Sequence, residues 1–177
     1  RLVAEEKRIT GVTLPVYLTT VGDNAFYGCE KLTNVTFSAV RDYRTNAKTA
    51  LTVGTRAFAA TALETVVFPA GTVTKLGTGS FAACPKLREI FVYGEVRCTA
   101  KGPFAQSGDG GEIVVHLSPA YAADEAFVAN LTADMSTSRV KIDTEPLGKA
   151  EITGTTVAGS AVTVRFKVAF DSPGGEV

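Results

Sequence analysis

The chain has 177 residues, 45% hydrophobic and 8% aromatic, and its 18 basic and 18 acidic side chains balance to a formal charge of zero. That balance argues against nucleic acid or an anionic membrane face as partner, since both call for clustered Lys and Arg. No apolar run approaches the length needed for membrane insertion.

Residues 1–8 carry no initiator methionine and no basic-then-apolar export pattern, so any signal sequence is expected to lie outside this chain. Residues 2–8 are expected either to cap the array or to belong to an incomplete coil. Ile9-Thr10-Gly11-Val12-Thr13-Leu14-Pro15 is the back half of a unit whose fuller copies follow. Leu18-Thr19-Thr20-Val21 reads as a short strand, and Gly22 as a turn unfavourable for other residues. Ala25-Phe26 then opens a short helical or 3₁₀ turn, with the Phe26 ring inside. Cys29 fills a site that wants something small, and Leu32, Val35 and Phe37 end the unit in the period-two pattern of a strand with one buried side. The polar run 41–50, which contains Tyr43 and Arg44, reads as a loop inserted into one coil, an inexpensive change because closure entropy grows slowly with length.

The phrase then repeats as Gly54, Ala57, Phe58, Thr61, Leu63, Val66 and Phe68, stopped by Pro69. Val73-Thr74-Lys75-Leu76 reads as a strand on the opposite wall. A third copy follows as Gly77, Ser80, Phe81, Cys84, Leu87, Ile90 and Val92. Phe58 to Phe81 and Phe81 to Phe104 are each 23 residues. A unit this short cannot bury its own apolar face and must stack on its copies, which predicts a solenoid with Phe26, Phe58, Phe81 and Phe104 as interior pegs. In the degenerate fourth unit the glycines of 108–111 replace the Cys-x-x-Leu part with a turn, while Ile113, Val115 and Leu117 keep the alternation. After Ser118-Pro119, residues 120–131 read as one short helix with Tyr121, Phe127, Val128 and Leu131 reaching inward to cover the last coil's open edge. Segments 139–143, 150–156 and 161–170 alternate as strands. These are too few for an independent core. The expected division is therefore 1–133, a solenoid with its C-terminal cap, and 134–177, an antiparallel β-strand extension of its sheet or the start of a sandwich-like domain.

The positions Gly22, Ala25, Phe26, Cys29, Leu32 and Val35, then Gly54, Ala57, Phe58, Leu63 and Val66, then Gly77, Phe81, Cys84, Leu87 and Ile90 give a phrase that resembles the BspA-type (Treponema pallidum type) leucine-rich repeat. The match runs over roughly residues 9–130, with Thr61 standing where the phrase has Cys and no proline after Val92. The resemblance implies an α/β, mostly β, solenoid: a right-handed leucine-rich-repeat coil of short parallel strands and short helical or 3₁₀ turns. It further implies a bacterial cell-surface or secreted module, with adhesion or ligand binding as its work.

Chemistry is sparse. Cys29 and Cys84 should lie about two coil heights apart, roughly 10 Å at the usual strand spacing, beyond the ~7 Å between Cα atoms that a disulfide allows, so both read as buried small hydrophobes beside the core leucines Leu32, Leu63 and Leu87. Cys98 falls outside the repeat frame and reads as exposable or, with Cys84, pairable. One histidine, His116, between two core-facing residues, points outward. It and the cysteines do not make a zinc site, and the Asp-Gly stretches are turns before they are calcium loops. No enzyme, metal or cofactor is expected. The outward strand positions Asn34, Thr36, Thr65, Val67, Glu89, Phe91, Val114 and His116 can vary without touching the core. Phe91 and Tyr93 form a candidate aromatic patch, with Val67, Glu89, His116, Tyr43 and Arg44 as its neighbours in a site for a protein or glycan ligand, or else a patch that packs under Tyr43 or against the C-terminal strands. The alternative is a structural spacer that presents another domain.

Overall fold

The computed structural model describes residues 8–38, 40–42, 44–136 and 139–144, and the backbone alone of 147–158 and 161–169. Short strands alternate between two walls. The first wall holds β1 (Gly11–Thr13), β3 (Asn34–Thr36), β5 (Thr65–Phe68), β7 (Glu89–Val92), β9 (Ile113–His116) and β10 (Val140–Asp143). The second holds β2 (Thr20–Val21), β4 (Ala50–Val53), β6 (Val73–Leu76) and β8 (Glu95–Cys98). Every pairing within a wall is parallel and coil-to-coil, with Val66 opposite Ile90, Ile90 opposite Val115 and Val115 opposite Ile142. This is a parallel-strand solenoid, mostly β.

The first wall is not continuous. β1 pairs with β3, and β5, β7, β9 and β10 form a separate sheet, so no strand ladder joins β3 to β5. A slot of about 280 Å³ lined by residues of both strands marks the gap. The inserted run 41–50 lies between β3 and β4, and it closes on itself through an antiparallel bridge of Arg41 and Lys48. Its last residue, Ala50, starts β4, so the insertion ends inside a strand.

A third face is made of turns. Asn24, Phe26 and Gly28 donate their N–H groups to the carbonyls of Thr55, Ala57 and Ala59 in the next coil, at 2.9, 2.7 and 2.9 Å. Arg56, Phe58 and Ala60 do the same to Thr78, Ser80 and Ala82, at 3.1, 2.7 and 2.9 Å. The intervening residues bond within the coil, as from Ala25 to Gly22 and from Cys29 to Phe26. Single 3₁₀-type turns, each closed by a bond to the third residue back, alternate here with bonds to the neighbouring coil. The alternation needs left-handed backbone two residues before and after each Phe, and φ there is 56° at Asn24, 71° at Gly28, 52° at Arg56, 56° at Ala60 and 53° at Ala83. Gly54 and Gly77 do not adopt positive φ, contrary to their expected role as turn glycines. They are glycine because the preceding coil's backbone passes too close for a side chain: a Cβ at Gly77 would sit 3.1 Å from Val53 O.

Inside, Phe26, Phe58, Phe81 and Phe104 stack face to face with centroids 5.0, 5.2 and 5.1 Å apart. Aromatic pairs of this kind add about 0.5–1.5 kcal/mol each beyond their buried area. Phe58, Phe81 and Phe104 are fully buried, while Phe26 ends the stack and is partly exposed. Leu32, Leu63 and Leu87 form a second buried column. A third column is Cys29, Thr61, Cys84 and Ser107, all buried. Thr61 Oγ1 lies 3.2 Å from Cys84 Sγ, and Ser107 Oγ accepts the Cys84 N–H at 3.0 Å while donating to Phe81 O at 2.8 Å. The fourth unit therefore keeps the small-residue site, as Ser107, before its glycine turn. Cys29, Cys84 and Cys98 form no disulfide among the described residues. Cys98 is inside the repeat frame after all, opposite Leu76, itself opposite Val53. Burial pushes its thiol up to about 11.

The cap is two helices, α1 (Pro119–Ala122) and α2 (Glu125–Thr132), where the sequence suggested one. The break falls at Asp124, whose carboxylate accepts the Phe127 N–H at 2.9 Å and so starts α2 afresh. α2 takes the place of a further coil in the turn ladder: Gly102 and Gln106 donate to Asn130 O and Asp134 O at 3.0 and 2.6 Å. The chain then returns to add β10 in parallel, where an antiparallel addition was expected, because the α1–α2 crossover has already carried it back across the stack. β11 (Leu147–Ala158) and β12 (Ala161–Ala169) pair antiparallel with each other.

Candidate functional site

On the first wall, alternate residues point out. Val67, Phe91, His116 and Asp143 share one rung of the parallel ladder, and Thr65, Glu89, Val114 and Lys141 share another. Strands about 4.8 Å apart bring such neighbours into side-chain contact. The Phe91 and His116 rings lie parallel, 4.1 Å between centroids and 2° between planes. Tyr93, just past the end of β7, stacks on Phe91 at 5.6 Å and 20°. Three rings therefore form one continuous aromatic surface.

His116 is outward, but it is not freely exposed: its side chain retains 15% of its accessible surface. Its Nδ1 lies 3.0 Å from Asp143 Oδ2, so a proton held on Nδ1 is donated to the carboxylate. Nε2 is buried, 3.8 Å from Glu89 Oε1, and has no hydrogen-bond partner among the described residues. Glu89 itself keeps 47% of its side-chain surface. Burial, and secondarily the Glu89 charge, raises the Tyr93 phenol above its ordinary value. The arrangement is a flat aromatic surface with an acceptor carboxylate beside it and a fixed imidazole in its middle.

Of the residues singled out from sequence, the structure gathers Glu89, Phe91, Tyr93 and His116, with Val67 beside Phe91 in register and also lining the slot between β3 and β5. Arg44 lies in the inserted loop, where its backbone N–H donates to Asp42 Oδ1 at 2.8 Å. With Thr45, that bond holds the Asp42 carboxyl below its ordinary value. Tyr43 lies outside the described residues. Asp143 was missed. Its signal was present in the alternation of Arg139-Val140-Lys141-Ile142-Asp143, and only the parallel register places it opposite His116.

No group of three or more His, Cys, Asp or Glu gathers for a metal ion among the described residues, and no helix there is long and apolar enough to cross a membrane. Neither the curated proteins nor the solved structures give a match. The family model of the BspA type leucine rich repeat region matches residues 4–132 with six copies. Members of such repeat families work typically as non-enzymatic protein-interaction modules and are commonly surface-associated. The matched span takes in most of this solenoid and five of the six strands of its first wall, and the chain belongs to the BspA-type leucine-rich repeat family.

Proposed function

We propose that this chain is a cell-surface or secreted recognition module that binds a protein or glycan ligand on the outward face of its first wall. The observation that carries the reading is the Phe91, His116 and Tyr93 stack, which occupies positions that the array does not need for its own core. Rings locked by stacking and by the Asp143 bond lose little freedom on binding. Glu89 and Val67 flank them, and Tyr43 and Arg44 of the inserted loop supply further contacts. No catalysis, cofactor, nucleic acid or membrane insertion belongs to this reading. In it, residues 1–133 recognise the ligand and residues 134–177 extend the sheet or open a following domain.

The test is binding of the whole chain and of Phe91→Ala to arrays of extracellular proteins and of glycans. A centrally placed aromatic anchor is worth about 2 kcal/mol or more, so the variant should bind the ligand of this wall about thirtyfold more weakly. Equal binding removes the stack from the site. A structural spacer is the second reading, favoured by the way β11 and β12 pair with each other; a chain that binds nothing on either array supports it.

A further inference from the structure

We infer that the cavity between the cap and the turns joining the two walls is a pocket for a neutral pyranose sugar. The inference goes beyond the recognition reading above and adds a separate site with a ligand class of its own. The cavity measures about 640 Å³, within the range of roughly 300–1,000 Å³ typical of small-molecule sites. Its floor is backbone, from the turns around Gly71 and Gly94. A Cβ at Gly94 would overlap Thr72 Oγ1 and Pro69 O, so the bare floor follows from the packing beneath it. Gly71, at φ +74°, lies under the Lys48 ammonium, which a Cβ there would meet at 3.6 Å.

Two tyrosines form the walls. Tyr93 is shared with the aromatic surface of the first wall, so the pocket opens beside it. Tyr121 is held from both ends: its ring packs on Phe127 at 4.8 Å, and its hydroxyl accepts the Val96 N–H at 3.3 Å. Asp124 lines the rim because the cap helix breaks there. One of its oxygens caps α2; the other has no partner among the described residues. Glu95 brings a second carboxylate, one oxygen of which is paired with the Arg97 guanidinium, and Lys48 makes no ion pair among the described residues.

The signs of these charges select the ligand. Arg97 offsets Glu95 and Lys48 offsets Asp124, so neither an anion nor a cation meets a net opposite charge. A neutral polyol donates to Asp124 and Glu95 while accepting from Lys48 and the tyrosine hydroxyls. The C–H face of a pyranose ring completes the fit against a tyrosine.

The experiment is ligand-observed NMR on the whole chain with galactose, N-acetylglucosamine, lactose and cellobiose, and with inorganic phosphate and spermidine as charged probes. At least one saccharide should bind. Ala120→Trp, an exposed position on the rim, should weaken it more than tenfold by filling the cavity, Lys48→Met should weaken it severalfold, and Phe91→Ala, which only loosens Tyr93, should weaken it less than Ala120→Trp does. Circular dichroism confirms that each variant is folded. Saturation by phosphate or spermidine alone, or by none of the probes, overturns the pocket. Saccharide binding that survives Ala120→Trp but falls with Phe91→Ala also overturns it, and leaves recognition by the wall standing. Saccharide binding lost in Ala120→Trp, with no Phe91-dependent ligand on either array, supports the pocket and sinks the wall reading instead.

Discussion

Gly22, Gly54 and Gly77 occupy one position in three successive coils, yet alanine at each should behave differently. At Gly54 a new Cβ would lie 2.8 Å from Asp23 N and 2.9 Å from Gly22 C, and would overlap Asp23 Oδ1. That oxygen accepts the Thr55 N–H at 2.7 Å, and Gly54 N–H donates to Val21 O at 2.8 Å. The neighbour is backbone on both sides, so the coils must part, at the ~1–3 kcal/mol typical of overpacking. At Gly77 the nearest atoms are at 3.1–3.2 Å, and a few tenths of an ångström of give would relieve them. At Gly22 nothing lies within 4 Å. None of the three has positive φ, so alanine also gains ~0.4–1 kcal/mol by restricting the unfolded chain. The net expectation is Gly22→Ala slightly stabilised, Gly77→Ala near neutral, and Gly54→Ala destabilised by about 2 kcal/mol, roughly 4–8 °C in Tm for a chain of this length. Thermal and urea unfolding of the three variants measures the order. A Gly22→Ala variant as damaged as Gly54→Ala, or an unaffected Gly54→Ala, would refute close coil approach as the reason for these glycines.

Phe81→Ala removes a fully buried ring stacked on both sides and should cost about 3–5 kcal/mol, whereas Phe26→Ala, at the partly exposed end of the stack, should cost clearly less by the same unfolding assay. Ala83→Gly places at φ 53° the residue that tolerates it, and should raise stability by about 1 kcal/mol, read as a higher urea midpoint. Cys98 has its thiol raised to about 11 by burial, so the unfolded chain releases its proton first. The stability it contributes is intact below the unfolded value and is lost as pH rises towards 11. Cys98→Ala should flatten the fall in urea midpoint between pH 9 and 11, and an unchanged slope would count against the buried assignment.

What could be read from the residues was whatever repeats at fixed spacing. The Phe, Leu and small-residue columns announce themselves because each coil presents the same slot to the same neighbour. The turn face did not, since its left-handed backbone is held at Asn24, Arg56, Ala60 and Ala83 by bonds between coils, with no turn-forming residue to mark most of them. β8 was passed over because Glu95-Val96-Arg97-Cys98 is half charged and follows no proline; its partners on β6 make it a strand. The helix break at Asp124 was missed because alanines run through both sides of it, and only the side-chain cap shows that α2 begins anew. At the candidate site, Val67 and Phe91 stood out as apolar side chains where solvent was expected, with Tyr93 beside Phe91. The Asp143 contact to His116 depends on a register between segments separated by the whole cap, which no local pattern carries.

The unlaced junction between β3 and β5 has a mechanical meaning. Tension along the stacking axis loads every coil junction in series, and this one is fastened on two faces where the two junctions that follow it have three. Stretched from its ends, the array should tear there first, shedding β1 and β3 while β5, β7, β9 and β10 with their cap hold as a block.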